Sequence, residues 1–479
     1  MDIRRSRQYA ATYFSFQPHN KIFFSLLKNF VQCAIIVISV NRLHTQKGKR
    51  LYKKMRKLLS RAAALLLAGV MTAAVAGCGK NSDSEAKDTA KKWTELDQTQ
   101  ITEAMGLGWN LGNQLEASSG GLPSETCWGN PEITKDLIDT VKAQGFKTVR
   151  IPVSYLDMIG DGPDYKIDTD WLDRVQEVVD YVVDNDMFAI VNMHGDGYYT
   201  VDHSWLLCAE DDDKQTEIKD KYGKVWTQIA DRFKDYDQHL IFESMNEEFN
   251  NDYGKPDANA YENINAYNQI FVDSVRATGS NNEKRWLLLP GWNTNIEYTA
   301  GDDYNFKIPT DNGCKADGKR IMISVHYYDP FNFTIDENKT ARTQWGKYAV
   351  KNYDNWGQED YVDSQMALLN EKFVSQGYPV VIGEFGAQDK TEKFADYNEF
   401  RRYWAEYLIK AAKKNGVVCV YWDNGYNGNK GFGIINRFDY TITQPDLIAG
   451  MMRAINSTDD YEIPSPAGYT EVRKSAKAS

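Results

Sequence analysis

Residues 239–247 read HLIFESMNE, and Glu248 follows. The stretch begins as a buried strand, Leu240 to Phe242, and then places Glu243, Asn246, Glu247 and Glu248 within six positions. Buried carboxylates are costly unless they are paired, hydrogen-bonded or needed for chemistry. A strand that runs into acids therefore reads as one that delivers polar groups to its own end. Seven further apolar runs of this kind recur along the chain: MGLGWN (105–110), KTVRIPV (147–153), MFAIVNMH (187–194), RWLLLPG (285–291), IMISVHYY (321–328), YPVVIGEFG (378–386) and VVCVYWDNG (417–425). Near-continuous apolar strands indicate burial on both faces, as in a parallel sheet covered by helices.

The intervening segments support that reading. NPEITKDLIDTVKAQG (130–145) offers Asn130 as N-cap, Pro131 at the first helical position, a stripe of Ile133, Leu137 and Val141, and Gly145 as its stop. In 398–416, Phe400, Trp404, Leu408 and Ala411 form a stripe that ends at Gly416. Residues 292–320 read as loop with only a poor helix. Eight strand–helix units in one chain of this length predict a (β/α)8 TIM barrel with long loops. The alternative, a doubly wound open sheet, is disfavoured because no glycine-rich phosphate fingerprint follows the first strand.

A barrel of this kind carries its active site at the C-terminal ends of the strands. There the second strand carries Arg150, the third His194, the fourth Asn246 and Glu247, the sixth His326 and Tyr328, the seventh Glu384 and the eighth Trp422. A lone strand-end His or Glu is more often structural than catalytic; six strands with such groups at one end are not explained that way. Two facing glutamates point to glycosidic bond cleavage, one protonated to donate to the leaving oxygen and one ionised to attack the anomeric carbon. Separation of about 5–5.5 Å implies retention of configuration, and about 6.5–9.5 Å implies inversion. No spacing of Cys or His suggests a metal, and no cofactor is expected.

The motifs GWNLGNQLEA, WGNPEIT, GFKTVRIPVSY, MNE, HYY, VIGEFGA and YWDNG, in this order between residues 93 and 457, resemble glycoside hydrolase family 5, the cellulase family of retaining barrels. The resemblance implies Glu247 as acid/base and Glu384 as nucleophile. It implies that Asn246 binds the 2-hydroxyl of the attacked sugar, that Arg150 and Tyr328 hold Glu384, that His194 and His326 complete the polar network, and that Trp422 forms the floor under the sugar. Glu243 shares strand parity with Glu247 but lies about 13 Å back, so it is expected inside the barrel with Arg150 as candidate partner. Glu248 stands where the family often has Pro and is expected to be a solvated charge or a rim contact. Gly195 replaces the second of two adjacent histidines found in many relatives. Tyr198, Tyr199, Trp205 and Trp292 are candidate sugar platforms, with core or loop packing as the alternative for each.

The N-terminal region resembles a bacterial lipoprotein export signal. MRKLLSRAAALLLAGVMTAAVAGC runs from Met55, with a basic start, an apolar stretch and Cys78 as the residue to be acylated. The expected organisation is residues 1–54 as an upstream extension foreign to the native protein, 55–77 as signal, 78–92 as a polar tether, 93–457 as the catalytic barrel and 458–479 as a C-terminal tail. The protein is then expected outside the cytoplasm, lipid-anchored at the cell surface and monomeric. From residue 79 onward the chain has 42 basic and 66 acidic residues, a net charge of −24. Such a body repels nucleic acid and anionic lipid but not a neutral polysaccharide. Cys419 reads as a buried thiol, and a Cys127–Cys208 disulfide is possible in an exported chain. The expected activity is endo-β-1,4-glucan hydrolysis on soluble or amorphous chains. A β-mannanase, a xyloglucanase, a host-glycan hydrolase and a non-catalytic glycan-capture lipoprotein are its rivals.

Overall fold

The computed structural model describes residues 93–472, apart from 339 and 459. The upstream extension, the signal segment and the whole of the tether, Cys78 included, lie outside the described residues. Eight parallel strands close into a barrel: β1 Leu107–Asn110, β2 Thr148–Ile151, β3 Phe188–Asn192, β4 Leu240–Glu243, β5 Leu287–Pro290, β6 Ile321–Tyr327, β7 Val380–Phe385 and β8 Val417–Tyr421. β1 pairs with both β2 and β8, so the sheet has no edge. The expected barrel is present, with every strand inside its predicted run.

Helix α1 (Gln98–Met105) precedes the first strand. Helices α2 (Lys135–Ala143), α3 (Thr169–Val183), α4 (Asp212–Phe233), α5 (Ala258–Ala277), α6 (Ile296–Ala300), α7 (Glu359–Lys372), α8 (Tyr397–Lys414) and α9 (Pro445–Asn456) follow strands one to eight in turn. The five-residue α6 bears out the poor helix expected in 292–320. The N-cap expected for α2 is corrected: Thr134, not Asn130, caps it by accepting from the Leu137 amide. The Asn130 amide instead donates to the carbonyls of Asn113 and Asn424, tying the loop after β1 to the loop after β8.

Strand alternation separates two cores. Outward residues such as Val149, Phe242, Ile323, Ile382 and Tyr421 pack among the helices. Inward residues Phe188, Ile190, Ile241, Leu288, Met322, Val381, Val418 and Val420 fill the lower barrel, closed from below by Ile101 and Met105 of α1. Above them the inward positions turn polar: Asn110, Arg150, Asn192, Glu243, Ser324 and His326, all buried. The barrel is thus an apolar plug under a polar cup.

One irregularity aims the seventh strand. Val325 faces Ile382, yet the next residue, His326, faces Glu384. On the other side Cys419 faces Ile382 while Tyr421 faces Phe385. β7 therefore carries one extra residue at Gly383–Glu384. Ile382 points out among the helices, so strict alternation would send Glu384 out as well; the bulge turns it into the cup and leaves Phe385 packed outside.

Cys127 is exposed and Cys208 buried, and both are free, so the considered disulfide is not formed; Cys419 is a buried thiol as expected. No helix among the described residues is long and apolar enough to cross a membrane.

Candidate active site

Arg150 anchors the cup. Its side chain is fully buried, and it donates from Nε to Glu243 at 2.6 Å, from Nη1 to Glu384 at 2.7 Å and to Asn110 at 3.1 Å, and from Nη2 to Asn246 at 2.6 Å. Glu243 takes a second bond from Ser324 at 2.6 Å. The buried carboxylate at the end of β4 therefore has the partner expected for it. Burial opposes the guanidinium charge, but Glu243 and Glu384 outweigh it and raise Arg150 above its already high value. It stays a cation at every pH the fold tolerates.

The two mouth glutamates have unequal partners. Glu384 receives Arg150 and the Tyr328 hydroxyl, the latter at 2.9 Å. Glu247 meets His326 Nδ1 at 2.6 Å and receives the Tyr198 hydroxyl at 2.9 Å. His326 also stands 3.7 Å from Glu384. One oxygen of each glutamate and a nitrogen of His326 lie within 4.8 Å of one another, too close for both acids to ionise freely. Burial pushes both carboxyls up. In the substrate-free cup His326, Tyr198 and Arg150 outweigh it at Glu247, which is held below its ordinary range. At Glu384 burial together with the Glu247 charge prevails over His326 and Arg150, and the group is raised. Two carboxyls this close titrate as a unit.

Asn246 is spoken for on both atoms. Its oxygen accepts from Arg150, and its nitrogen donates to Tyr198 at 2.6 Å. His194 Nδ1 accepts from Asn192 at 3.2 Å, and Asn192 is itself oriented by the Val153 amide. Its proton therefore sits on Nε2. Burial, Arg150 and His326 push His194 well below the ordinary imidazole value, so the ring is neutral. Trp422 lies parallel to His194, 7° between planes and 6.1 Å between ring centres. The buried Asp423–Arg437 pair, 3.0 Å apart, holds the loop that carries Trp422.

Glu247, Glu384, Arg150, His194, Asn246, His326, Tyr328 and Trp422 thus converge as expected. The other aromatic candidates divide differently. Tyr198 places its hydroxyl between Asn246 and Glu247. Trp292 is 1% exposed and packs on Tyr261 in the outer core, so it is corrected to a structural residue. Trp205 donates to the buried Asp196 and has Lys221 over its ring; Tyr199 accepts from the Ala209 amide. Both brace the loop after β3. Glu248 is also corrected: it is buried, not solvated. Asn110, Asn192 and Ser324 escaped the sequence reading, although each is a polar residue at an inward strand position, the signal used for the others.

The described geometry has counterparts among known proteins. The cellulase family, glycosyl hydrolase family 5, matches residues 112–428. Endoglucanase A of Paenibacillus barcinonensis is 50% identical over 399 residues, covering 82% of this chain and 97% of that protein. A solved family 5 xyloglucanase from Paenibacillus pabuli, in complex with ligand, superimposes with a TM-score of 0.73 at 53% identity, covering 74% of this chain and 100% of that one. A broad-specificity GH5-4 endoglucanase from Bacteroides salanitronis gives a TM-score of 0.71 at 36% identity, covering 80% and 100%. The chain belongs to the cellulase family, glycosyl hydrolase family 5, and is a glycoside hydrolase.

Proposed function

We propose that the chain is a retaining endo-β-1,4-glucanase in which Glu384 is the nucleophile and Glu247 the acid/base. The observation that carries this reading is the close pair of carboxyls with unequal partners. The nearest oxygens of the two carboxyls lie within 4.8 Å of each other, closer to the separation of about 5–5.5 Å that goes with direct attack than to the about 6.5–9.5 Å that goes with an inverting water. The nature of the donors supports the assignment of the two roles. Arg150 cannot give up its charge, so Glu384 keeps a fixed cation. Glu247 has the His326 ring and the Tyr198 hydroxyl as its direct partners, and it is the carboxyl we assign the proton that goes to the leaving oxygen.

In the first step the Glu384 carboxylate bonds to the anomeric carbon as the glycosidic bond breaks, and the Glu247 proton passes to the leaving oxygen. In the second, Glu247 takes a proton from water, the water oxygen replaces Glu384, and both residues return to their starting states. Asn246 binds the sugar 2-hydroxyl, and Trp422 supports the ring from below. Within this mechanism, likeness at 53% identity to a xyloglucanase favours a second reading in which the substrate backbone bears side chains.

The experiment is a reducing-sugar assay of residues 79–479 on carboxymethylcellulose, mixed-linkage glucan, xyloglucan, glucomannan and mannan, beside Glu384→Gln. Activity on a glucan that the substitution abolishes, with oligosaccharide binding retained, is the expected result. Activity on mannan alone overturns the substrate, and no activity at all favours the capture hypothesis. We also propose that the enzyme is exported, monomeric and lipid-anchored through Cys78; loss of radiolabelled palmitate from Cys78→Ala, but not from the native chain, tests the anchor.

A further inference from the structure

Glu248 directly follows the proposed acid, and the mechanism above gives it no part. Its side chain is buried, and Oε2 has no hydrogen-bond partner. The carboxyl group occupies the place where a side chain at residue 197 would begin. A β-carbon added to Gly197 would lie 1.6 Å from Oε1, 2.1 Å from Cδ and 2.2 Å from Oε2. Gly197 precedes Tyr198, whose hydroxyl joins Asn246 to Glu247. One contact therefore couples the 195–198 and 246–248 segments, a single residue away from those hydrogen bonds on each side.

The rest of the 195–197 turn is held from elsewhere. Ser154 Oγ accepts from the Gly195 amide at 2.9 Å. Asp196 accepts from the amides of Tyr155 and Leu156 and from Trp205 Nε1. These bonds fasten the turn to the loop after β2 and to its own continuation. The Glu248 carboxyl is the contact on the side of the acid.

We propose that Glu248 is a positioning residue for proton transfer: its carboxyl group, seated in the space that Gly197 leaves open, fixes the Tyr198 hydroxyl against Glu247. The inference rests on Glu247 being the acid/base. The group acts uncharged. Burial and then the Asp196 charge push it well above the ordinary carboxyl range. The other titratable groups within its influence are Tyr199, Cys208, Tyr222 and Tyr267, none of them a cation. An ionised carboxylate there would be a buried charge beside a second one, with an oxygen unpaired.

The test compares kcat/KM on two aryl β-cellobiosides. The 2,4-dinitrophenyl substrate departs without a proton, whereas the phenyl substrate needs one from Glu247. Glu248→Ala is expected to lower kcat/KM for the phenyl substrate about tenfold or more, to leave the dinitrophenyl value within about twofold, and to move the alkaline limb of the pH profile. Glu248→Gln, which keeps the shape of the neutral acid, restores most of the loss. Gly197→Ala, which drives a methyl group into the same space, shows the same selective loss, and combining it with Glu248→Ala recovers part of it. Equal losses on both substrates with an unmoved pH profile would mean a purely structural role and overturn the proposal, as would full activity of both alanine variants. A native chain that cleaves neither substrate and none of the glucans named above would instead overturn the proposed function, so the two failures are distinct.

Discussion

Arg150 shows how much of the cup rests on one side chain. It binds Glu243, Glu384, Asn110 and Asn246 together. Removing one partner of a buried ion pair leaves the other uncompensated, at a cost of about 3–5 kcal/mol. Arg150→Met is therefore expected to destabilise the fold by about that amount and to abolish turnover. Adding Glu243→Leu removes the stranded carboxylate, so most of the stability should return in urea unfolding while activity stays lost, because Glu384 still lacks its cation. Recovery of turnover in the double variant would contradict the role given to Arg150. At this scale the sequence was legible where parity carried the message. Glu243 and Glu247 share a strand face, and Arg150 was the available inward cation. Glu248 was not legible, because its burial depends on a glycine fifty-one positions away whose missing side chain makes room for it. Trp292 misled for a related reason: an aromatic just past a strand faces either cup or helix layer, and only the packing of Tyr261 decides.

At the scale of elements, strand order and the polar ends of strands could be read because buried parallel strands are nearly continuous in apolar residues. The bulge in β7 could not. It is a matter of register against two neighbours, and the letters VIGEFG give only a glycine as a hint. The capping error at Asn130 has the same origin, since its side chain is recruited by two distant loops rather than by its own helix. Those loops also govern Trp422. A β-carbon on Gly112 would stand 2.8 Å from Trp422 Cη2 and 2.8 Å from the Asp423 carbonyl oxygen. Gly112→Ala should thus displace the indole, at about 1–3 kcal/mol of overpacking. A shift of about 1 Å under the reacting sugar can cost on the order of 100-fold in rate, so kcat/KM should fall by about 10- to 100-fold while the protein still melts cooperatively. Unchanged kcat/KM would show that Trp422 does not support the sugar.

For the whole molecule, two acids buried outside the barrel strands are pushed towards their neutral forms, and folding stability must register it. Burial raises Glu116 to about 7, despite amide hydrogen bonds from Asn113 and Gln114, and raises Glu248 well above its ordinary value. Such groups hold protons in the folded state that the unfolded chain releases above its ordinary carboxyl range. Their contribution therefore weakens the fold as pH rises from about 4.5 towards the folded value. His194 works in the opposite sense, since it stays neutral when the unfolded chain takes up a proton below about 6.5. Replacing Glu248 by Gln removes its part of the alkaline loss. The melting temperature of Glu248→Gln minus that of the native chain should therefore grow from pH 5 to pH 8, and a constant difference would mean that Glu248 is ionised in the fold.

A covalent intermediate on Glu384 can be trapped with 2,4-dinitrophenyl 2-deoxy-2-fluoro-β-cellobioside. The fluorine slows both steps, and the reactive leaving group lets the first outrun the second. Time-dependent inactivation is expected, with release of one dinitrophenolate per chain and a fluoroglycosyl mass on the peptide that contains Glu384. Label on Glu247, or no label from an enzyme that hydrolyses β-glucan with inversion, would contradict it.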